Sequence, residues 1–402
     1  MTNRPNLSHG RGYLAIPGPS VMPDAVLQAM HRPAPNIYAG ELIDMMPGII
    51  ADLKRVARTQ HHAAIYIGNG HAAWEAALSN VIAPGERVLV PATGRFGHGF
   101  AEMAEGIGGD VQILDFGKSS PMNLDRIAQA LAEDEDHLIK AVLAVHVDTS
   151  SSVINDIKGV RGVLDAAGHP ALLMADCIAS LGCDRFEMDD WGVDVMVTGC
   201  QKGLMVPPGC SFVFFNDRAQ AVRDAMPRVS RYWDWTPRST GTELWEFFNG
   251  TAPTHHMYGL RTALDMIHAE GIEQVWARHT VLARAIWAAC EAWSTGGDLR
   301  LNITDRANRS TAVTSLRLSG NDGTRLRNWV ENELGLTLGI GLGMAEPDDP
   351  ARDAYFRLGH MGHVNGQMIM ALLGGMQAGM SSLGIAYGPG ALDAAAEVIA
   401  GH

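Results

Sequence analysis

A single lysine between two apolar runs is the first feature of the sequence that suggests covalent chemistry. Lys202 follows the apolar run 195–197 and precedes a Pro-Pro-Gly turn, after which a second apolar run, 210–215, begins. Both runs are typical of buried strands. Burying an ammonium group is costly unless it is paired or used chemically, and a desolvated lysine amine is a nucleophile for carbonyl carbon. Most lysines are surface residues, so Lys202 alone does not establish a function.

A carboxylate at the end of another apolar run can act together with this lysine. Asp176 closes the run 171–175. If the two runs are neighbouring parallel strands, Asp176 and Lys202 face one crevice at the C-terminal edge of the sheet. A carboxylate there can keep a pyridine nitrogen protonated, so that a pyridoxal ring accepts electrons. Taken alone, Asp176 is as consistent with a cap at a helix N-terminus.

Two further polar segments follow apolar runs. The turn 68–71, Gly-Asn-Gly-His, precedes an alanine-rich helical segment, and the N–H groups at the start of a helix favour an anion such as phosphate. The turn is equally consistent with a tight connection. Residues 146–149, His-Val-Asp-Thr, can serve a cofactor's ring oxygen or phosphate, or cap their own turn. A lysine, a carboxylate and a phosphate cradle are together the set that pyridoxal phosphate requires.

Short apolar runs alternate with helical segments over most of the chain, which predicts an α/β fold with a mostly parallel sheet covered by helices on both faces. The predicted strands are 64–67, 87–90, 111–114, 140–145, 171–175, 195–198, 211–215, 312–318 and 337–340. The predicted helices are 24–30, 39–58, 72–81, 97–105, 124–132, 158–167, 258–269, 274–293, 323–334 and 363–379.

The same pattern predicts the domain organisation. Residues 1–20 form an irregular N-terminal arm, 21–270 a large domain and 271–402 a smaller α+β domain. The aromatic-rich stretch 228–248 is predicted to be irregular.

Composition excludes several classes of protein. The 402 residues are 47% hydrophobic and 19% charged, as in ordinary globular proteins. A net charge of −13 argues against nucleic acid or an anionic membrane as the main partner. We find no signal sequence and no apolar run long enough to span a membrane. The five scattered cysteines form no CxxC pair, which predicts a reduced, cytoplasmic protein without a disulfide framework or a metal site.

The motifs, taken in order, resemble a known family. They are Asn69-Gly70-His71 with Trp74-Glu75, the segments 175–180 and 198–202 with the Pro-Pro-Gly turn, and Arg357-Leu-Gly-His-Met-Gly. The chain resembles the fold-type-I pyridoxal-phosphate enzymes of aminotransferase class V, and specifically the alanine/serine–glyoxylate aminotransferase group. The resemblance extends from Pro17-Gly18-Pro19 to the segment 384–390. It implies a large domain with a mostly parallel mixed sheet between helices and a smaller C-terminal α+β domain.

The resemblance also implies roles for individual residues. Lys202 would hold the cofactor through a Schiff base and later move the proton, and Asp176 would pair with the pyridine nitrogen. Phe96 would stack on the ring, and Thr149 would bind near the ring oxygen. The residues implied as phosphate ligands are Asn69, where relatives usually have Ser or Thr, with Gly70, His71 and Gln201.

Further implied contacts concern the substrate and a second subunit. Arg357 would hold the substrate carboxylate with its planar fork, and Gly18 would contact the substrate. Thr251 would reach the phosphate of the partner subunit in a homodimer with shared active sites.

The sequence departs from the family in places. Phe248 stands where many relatives carry a phosphate-binding tyrosine, and His255-His256 is atypical; this pair would serve a substrate side chain or stay structural, with the structural role slightly favoured. The segment 346–355, before Arg357, is longer than is usual in the family, which leaves the choice of substrate open.

The resulting prediction is an aminotransferase that works by a ping-pong mechanism. A small amino acid, such as alanine, serine or an aspartate-like donor, would give its amino group, and a 2-oxo acid such as glyoxylate or pyruvate would receive it. The alternatives are another class V activity, a lyase or a cysteine desulfurase, or a transaminase for an unusual amine donor. Desulfurases usually place a histidine where this chain has Gln201, and none of the cysteines lies in an obvious mobile loop. A non-enzymatic cofactor-binding scaffold is disfavoured because Lys202, Asp176 and Arg357 are all present.

Overall fold

The computed structural model describes residues 6–402, whose helices and strands form two sheet-centred units. The α-helices are α1 (Asp24–Met30), α2 (Glu41–Ala57), α3 (Gly70–Val81), α4 (Arg95–Gly106), α5 (Leu124–Ala132), α6 (Ile157–Ala166), α7 (Asp217–Ala225), α8 (Trp235–Thr240), α9 (Thr254–Glu270), α10 (Ile272–Ser294), α11 (Asp322–Leu334), α12 (Gly366–Leu383) and α13 (Ala391–Ala400). The strands are β1 (Tyr13–Ala15), β2 (His62–Gly68), β3 (Arg87–Ala92), β4 (Asp110–Asp115), β5 (Ile139–Val145), β6 (Val147–Asp148), β7 (Val153–Ile154), β8 (Leu172–Asp176), β9 (Val195–Gly199), β10 (Gly209–Phe215), β11 (Arg300–Leu301), β12 (Val313–Arg317), β13 (Leu336–Ile340) and β14 (Tyr355–Gly359).

The larger sheet has the strand order β2-β10-β9-β8-β5-β3-β4. The strands from β9 to β4 run parallel, whereas β10 is antiparallel to both of its neighbours. Alternate residues enter two cores: Ala63 and Ile65 of β2 face one, and Ala64 and Tyr66 face the other. Helices therefore cover both faces of the sheet, as predicted, and its central strands are buried on both sides.

The smaller sheet, β1-β13-β14-β12-β11, packs against α12, α13 and the C-terminal part of α10. The prediction of an irregular N-terminal arm is wrong for residues 13–15, because Tyr13–Ala15 form β1 and pair in parallel with β13. A three-residue strand is too short to show alternation, so pairing with a distant strand decides its conformation.

Helix α10 connects the two units. Val275 and Trp276 near its start pack in a core of the larger sheet, whereas Ile286 and Trp293 pack in the core of the smaller one. The predicted domain boundary between residues 270 and 271 stays a prediction, and this helix contributes to both cores.

The stretch 228–248 is not irregular throughout, because it contains α8 and a short 3₁₀ helix, Glu246–Phe248. Arg238 of α8 is completely buried and donates hydrogen bonds to the carbonyl oxygens of Ile65 and Tyr232, each at 2.7 Å. Its guanidinium also lies 4.3 Å from the Tyr66 ring centroid. These long-range contacts hold the segment in its conformation, and the local sequence pattern does not predict them.

Other elements differ from the prediction. Helices α3 and α4 each begin two residues earlier than predicted, because side-chain oxygens cap their first N–H groups. Helix α12 begins at Gly366 rather than at 363. Helices α7 and α13 and strand β14 were not predicted, and β14 carries Arg357. No helix within residues 6–402 is both long and apolar enough to cross a membrane.

Candidate active site

A cavity of about 320 Å³ lies at the C-terminal ends of the central strands of the larger sheet. Parallel strands place their loops at this edge, where α/β proteins bind ligands. The cavity contains every predicted site residue except Thr251 and Arg357. Its lining residues are Gly18, Pro19, Asn69, Gly70, His71, Trp74, Phe96, Val147, Thr149, Asp176, Ile178, Ala179, Gln201, Lys202 and Pro208.

The side chain of Lys202 enters the cavity from the turn after β9. Its amine donates to the carbonyl oxygen of Pro17, and its own carbonyl accepts from the Ser20 hydroxyl at 2.8 Å. Burial, together with the positive charge of Arg357, lowers the pKa of Lys202 to about 8. At pH 7 about one-tenth of such an amine is neutral, far more than for an ordinary lysine, so Lys202 can act as a nucleophile.

Gly18 contacts Lys202, and its lack of a side chain leaves room for the Lys202 side chain in the cavity. The backbone at Gly18 has φ +104°, and a Cβ there would lie 2.6 Å from Lys202 Cδ. Any side chain at position 18 would therefore meet both an unfavourable backbone conformation and the Lys202 side chain.

We expect Gly18→Ala to displace Lys202 from the cavity. Gly40 is the matched control, because it has φ +96° but no atom within 4 Å of an added Cβ. Both substitutions should lower the free energy of unfolding by about 1–3 kcal/mol, measured by urea denaturation. Only Gly18→Ala should also reduce chemical labelling of Lys202, followed by peptide mass spectrometry. Equal labelling of Lys202 in the two variants would contradict the role of Gly18 in holding Lys202 in the cavity.

Asp176 lies at the end of β8, next to β9, and its side chain is 3% exposed. Its Oδ1 accepts from the Ile178 N–H at 2.7 Å, and its Oδ2 accepts from Trp74 Nε1 at 3.1 Å. Burial raises the pKa of Asp176 to about 7. The alternative of a helix cap is wrong, because residues 177–194 form turns rather than an α-helix.

The start of α3 also lines the cavity. Asn69 is the N-cap residue, and its Oδ1 accepts from the N–H groups of His71 at 3.1 Å and Ala72 at 3.3 Å. A Cβ on Gly70 would overlap the end of the Ile178 side chain, which would then have to move. The buried Oε1 of Gln201 has no hydrogen-bond partner among residues 6–402, and a buried polar group of this kind needs one.

Asp148 caps the start of α4, the helix that carries Phe96, a role that was not predicted. It is completely buried, and its Oδ2 accepts from the N–H groups of Phe96 at 2.8 Å and Gly97 at 3.2 Å, at the start of α4. The signal in the sequence was the polar segment 146–149. It did not indicate which helix Asp148 caps, because Asp148 and α4 are far apart along the chain.

Arg357, in the middle of β14, comes to the site from the smaller sheet. Its side chain is 6% exposed, and its Nη1 donates to the carbonyl of Thr149 at 2.9 Å, while Nε donates to the carbonyl of Ile340 at 2.7 Å. Burial lowers its pKa to about 10. Arg357 is thus bonded to a residue that lines the cavity, although it does not line the cavity itself, and Nη2 has no hydrogen-bond partner within residues 6–402.

The remaining candidate residues lie outside the cavity. Thr251 is exposed, and Phe248 is buried in a core. His255 Nε2 hydrogen-bonds to the carbonyl of Arg32 at 3.0 Å, and His256 Nε2 to that of Pro208 at 3.1 Å. The two imidazoles thus bond to main-chain oxygens, which is the arrangement of structural histidines.

Comparison with known proteins agrees with this geometry. The model of the family "Aminotransferase class-V" matches residues 13–349. Serine–glyoxylate aminotransferase of Arabidopsis thaliana is 31% identical over 98% of this chain and 96% of its own length. L-aspartate–glyoxylate aminotransferase of Paracoccus denitrificans is 33% identical over 95% of this chain and 94% of its own length.

A solved structure gives the same result for the fold. Ureidoglycine–glyoxylate aminotransferase of Bacillus subtilis superposes with a TM-score of 0.86 at 26% identity, covering 97% of this chain and 98% of that one. The predictions of the family, of a fold-type-I architecture and of a transaminase are thereby confirmed. The chain belongs to the aminotransferase class-V family.

Proposed function

We propose that this chain is a pyridoxal-phosphate-dependent aminotransferase that moves an amino group from a small amino acid to glyoxylate or pyruvate by a ping-pong mechanism. The observation that carries the proposal is the cavity that contains both the amine of Lys202 and the buried carboxylate of Asp176. A nucleophilic amine beside a carboxylate that can face a pyridine nitrogen is the pair that this chemistry needs.

The residues present fit pyridoxal phosphate. Asp176 offers a carboxylate for the pyridinium nitrogen, and Phe96 offers an aromatic face for the ring. The start of α3 would supply main-chain N–H donors for the phosphate, and the side-chain NH2 group of Gln201, which lines the cavity, would be a further donor. The cofactor, when bound, supplies an electron sink for the carbanion formed at the substrate Cα.

The chain's own side chains perform the remaining tasks. Lys202 would hold the cofactor covalently, and its amine, once free, would move the proton between the substrate Cα and the cofactor C4′. Arg357 holds the substrate carboxylate with the part of its guanidinium that the main chain leaves free, which orients the Cα–H bond toward Lys202. Burial of both groups excludes water and strengthens their interaction with charge.

The substrate assignment rests on the relatives. Their names share glyoxylate as the acceptor and differ in the donor: serine, L-aspartate and ureidoglycine. We therefore propose glyoxylate as the first acceptor to test, with alanine, serine and aspartate as donors.

A homodimer with shared active sites is part of the proposal. Thr251 would contact the phosphate of the partner subunit, which is compatible with its exposure on this chain. Ile67 at the end of β2 is 39% exposed and Tyr232 is 38% exposed, and the Tyr232 hydroxyl lies 3.4 Å from the Ile67 carbonyl oxygen. This apolar surface, two residues before Asn69, suits a second copy of the chain.

A cytoplasmic location also stays a proposal, supported by five free, buried cysteines.

The test mixes the reconstituted protein with one amino acid at a time and follows the cofactor absorption band. The true donor should convert the band without any acceptor, and glyoxylate or pyruvate should restore it, because the two half-reactions of a ping-pong enzyme are separable. Sodium borohydride added to the resting holoprotein should attach the cofactor to the peptide that contains Lys202, as read by mass spectrometry.

Other outcomes distinguish the alternatives. Release of sulfide from cysteine would identify a desulfurase, and formation of an oxo acid or unsaturated product without band conversion would identify a lyase. A protein that does not bind pyridoxal phosphate after reconstitution would contradict the proposal.

A further inference from the structure

We propose that Trp74 is a positioning residue that fixes the Asp176 carboxylate and the Phe96 ring relative to each other, and through them the pyridine ring of the cofactor; this rests on the proposed function. Trp74 lies on α3 and its side chain is completely buried. Its Nε1 donates to Asp176 Oδ2 at 3.1 Å. One side chain thus contacts both groups that would orient the pyridine ring.

The hydrogen bond to Asp176 sets both the direction and the charge of the carboxylate. Trp74 Nε1 holds one oxygen and the Ile178 N–H holds the other. Both donors favour the ionised form, as does the charge of Lys202, whereas burial and the charge of Asp148 oppose it and leave the pKa at about 7. The thiol of the adjacent Cys177 is neutral, because burial raises its pKa. Of the two donors, only the indole belongs to a side chain, so it alone can be removed without changing the main chain.

The aromatic contacts set the orientation of Phe96. The Trp74 ring stacks on Phe100 of α4 with a centroid distance of 5.2 Å and meets Phe96 edge-on at 6.3 Å. It also meets the His71 ring edge-on at 4.6 Å. Because α4 carries both phenylalanines, the indole between α3 and α4 fixes which face Phe96 turns to the cavity.

Comparison with other buried tryptophans separates this role from ordinary packing. A buried indole N–H usually has an acceptor, and in the two other fully buried tryptophans that acceptor is neutral. Trp235 Nε1 donates to Gln220 Oε1 at 3.0 Å, and Trp293 Nε1 donates to Gln377 Oε1 at 3.2 Å. Trp74 instead donates to a carboxylate that lines the cavity. This choice of acceptor is what a charge-positioning role requires.

The test compares Trp74→Phe with the control Trp235→Phe, since both remove an indole N–H from a fully buried site. The titration of the Asp176 carboxyl is measured in the apoprotein by ¹³C NMR with labelled aspartate. We expect Trp74→Phe to raise the midpoint of this titration by about one pH unit, a tenfold change in the protonation equilibrium, and the control to leave it unchanged. In the holoprotein, kcat should fall more than KM rises, and the acidic limb of the pH–rate profile should move to higher pH.

An unchanged Asp176 titration in Trp74→Phe would overturn the proposal, even if both variants melt at lower temperature. If Trp74→Phe does not fold, the wild type supplies the readout, because one indole N–H resonance should titrate together with Asp176 and should stop titrating in Asp176→Asn. Absence of any such resonance would also overturn the proposal. These apoprotein measurements need no cofactor, so failure to bind pyridoxal phosphate would contradict the proposed function and leave the role of Trp74 to be decided by the titration.

Discussion

Replacing Lys202 by alanine is expected to lower the transamination rate by about 10²–10⁴-fold, the usual contribution of a general acid–base group, and to abolish covalent attachment of the cofactor after borohydride reduction. The reason is that the proposed mechanism assigns both the nucleophile and the proton carrier to the Lys202 amine, and no other lysine within residues 6–402 lines the cavity. Each half-reaction is measured by rapid mixing, and attachment by mass spectrometry of the peptide.

The control for this variant is Lys140→Ala. Lys140 is exposed and its amine donates to the carbonyl of His137 at 2.9 Å, so its loss should change neither rate nor labelling. Partial recovery of the Lys202→Ala rate by added methylamine would identify the lost group as a base. A variant that keeps the full rate, or keeps the label on another lysine, would contradict the assignment.

The lowered pKa of Lys202 makes a separate pH prediction for the apoprotein. Burial favours the neutral amine, so labelling of Lys202 by an amine-specific reagent should rise as the pH passes through about 8. The charge of Arg357 contributes to this lowering, so Arg357→Gln should move the midpoint to higher pH. A midpoint near 10 in the wild type would contradict the buried site.

Replacing Arg357 by alanine is expected to raise KM for amino acid and oxo acid substrates by an amount equivalent to about 2–4 kcal/mol, because truncating one member of a charge pair leaves the substrate carboxylate without a partner. The main-chain hydrogen bonds to Thr149 and Ile340 hold the guanidinium in place, so the fork is oriented before the substrate arrives. Steady-state kinetics with each substrate measure the effect.

Two controls separate this loss from a loss of folding. Arg309→Ala removes another buried arginine, and it should lower stability without changing KM. Unlike Arg357, which bonds to the lining residue Thr149, Arg309 donates only to residues outside the cavity, among them Glu291 at 2.7 Å. Amine donors without a carboxylate should react equally well with wild type and Arg357→Ala. Unchanged KM for carboxylate substrates would remove Arg357 from this role.

The strands of the larger sheet could be predicted from the sequence because each one is encoded locally. Continuous apolar runs ending in Asp176 or followed by Lys202 indicated buried parallel strands, and polar residues after such strands necessarily meet at one edge of the sheet. The resemblance to a family added roles for residues on this edge, and the structure brings Asn69, Phe96, Thr149, Asp176 and Lys202 into one cavity.

Contacts between distant segments could not be predicted in this way. Strand β14 was not predicted, although it carries Arg357, because five residues with a charge in the middle show no strand pattern and pairing with β12 and β13 forms the strand. Asp148 caps α4 across more than fifty residues of chain, and Trp74 reaches Asp176 from another element. Such hydrogen bonds depend on how helices pack on the sheet, and local periodicity carries no information about that packing.

The sequence by itself thus determined the α/β class, the family and the residues that can do the chemistry. Only the tertiary structure decided that Lys202 lies against Gly18 and Pro17, that its pKa is lowered by burial and by Arg357, and that Trp74 and Ile178 hold Asp176. The physical reason is that residue type fixes which groups can ionise or attack, whereas burial and neighbouring charges, which fix how readily they do so, arise only when distant segments pack together.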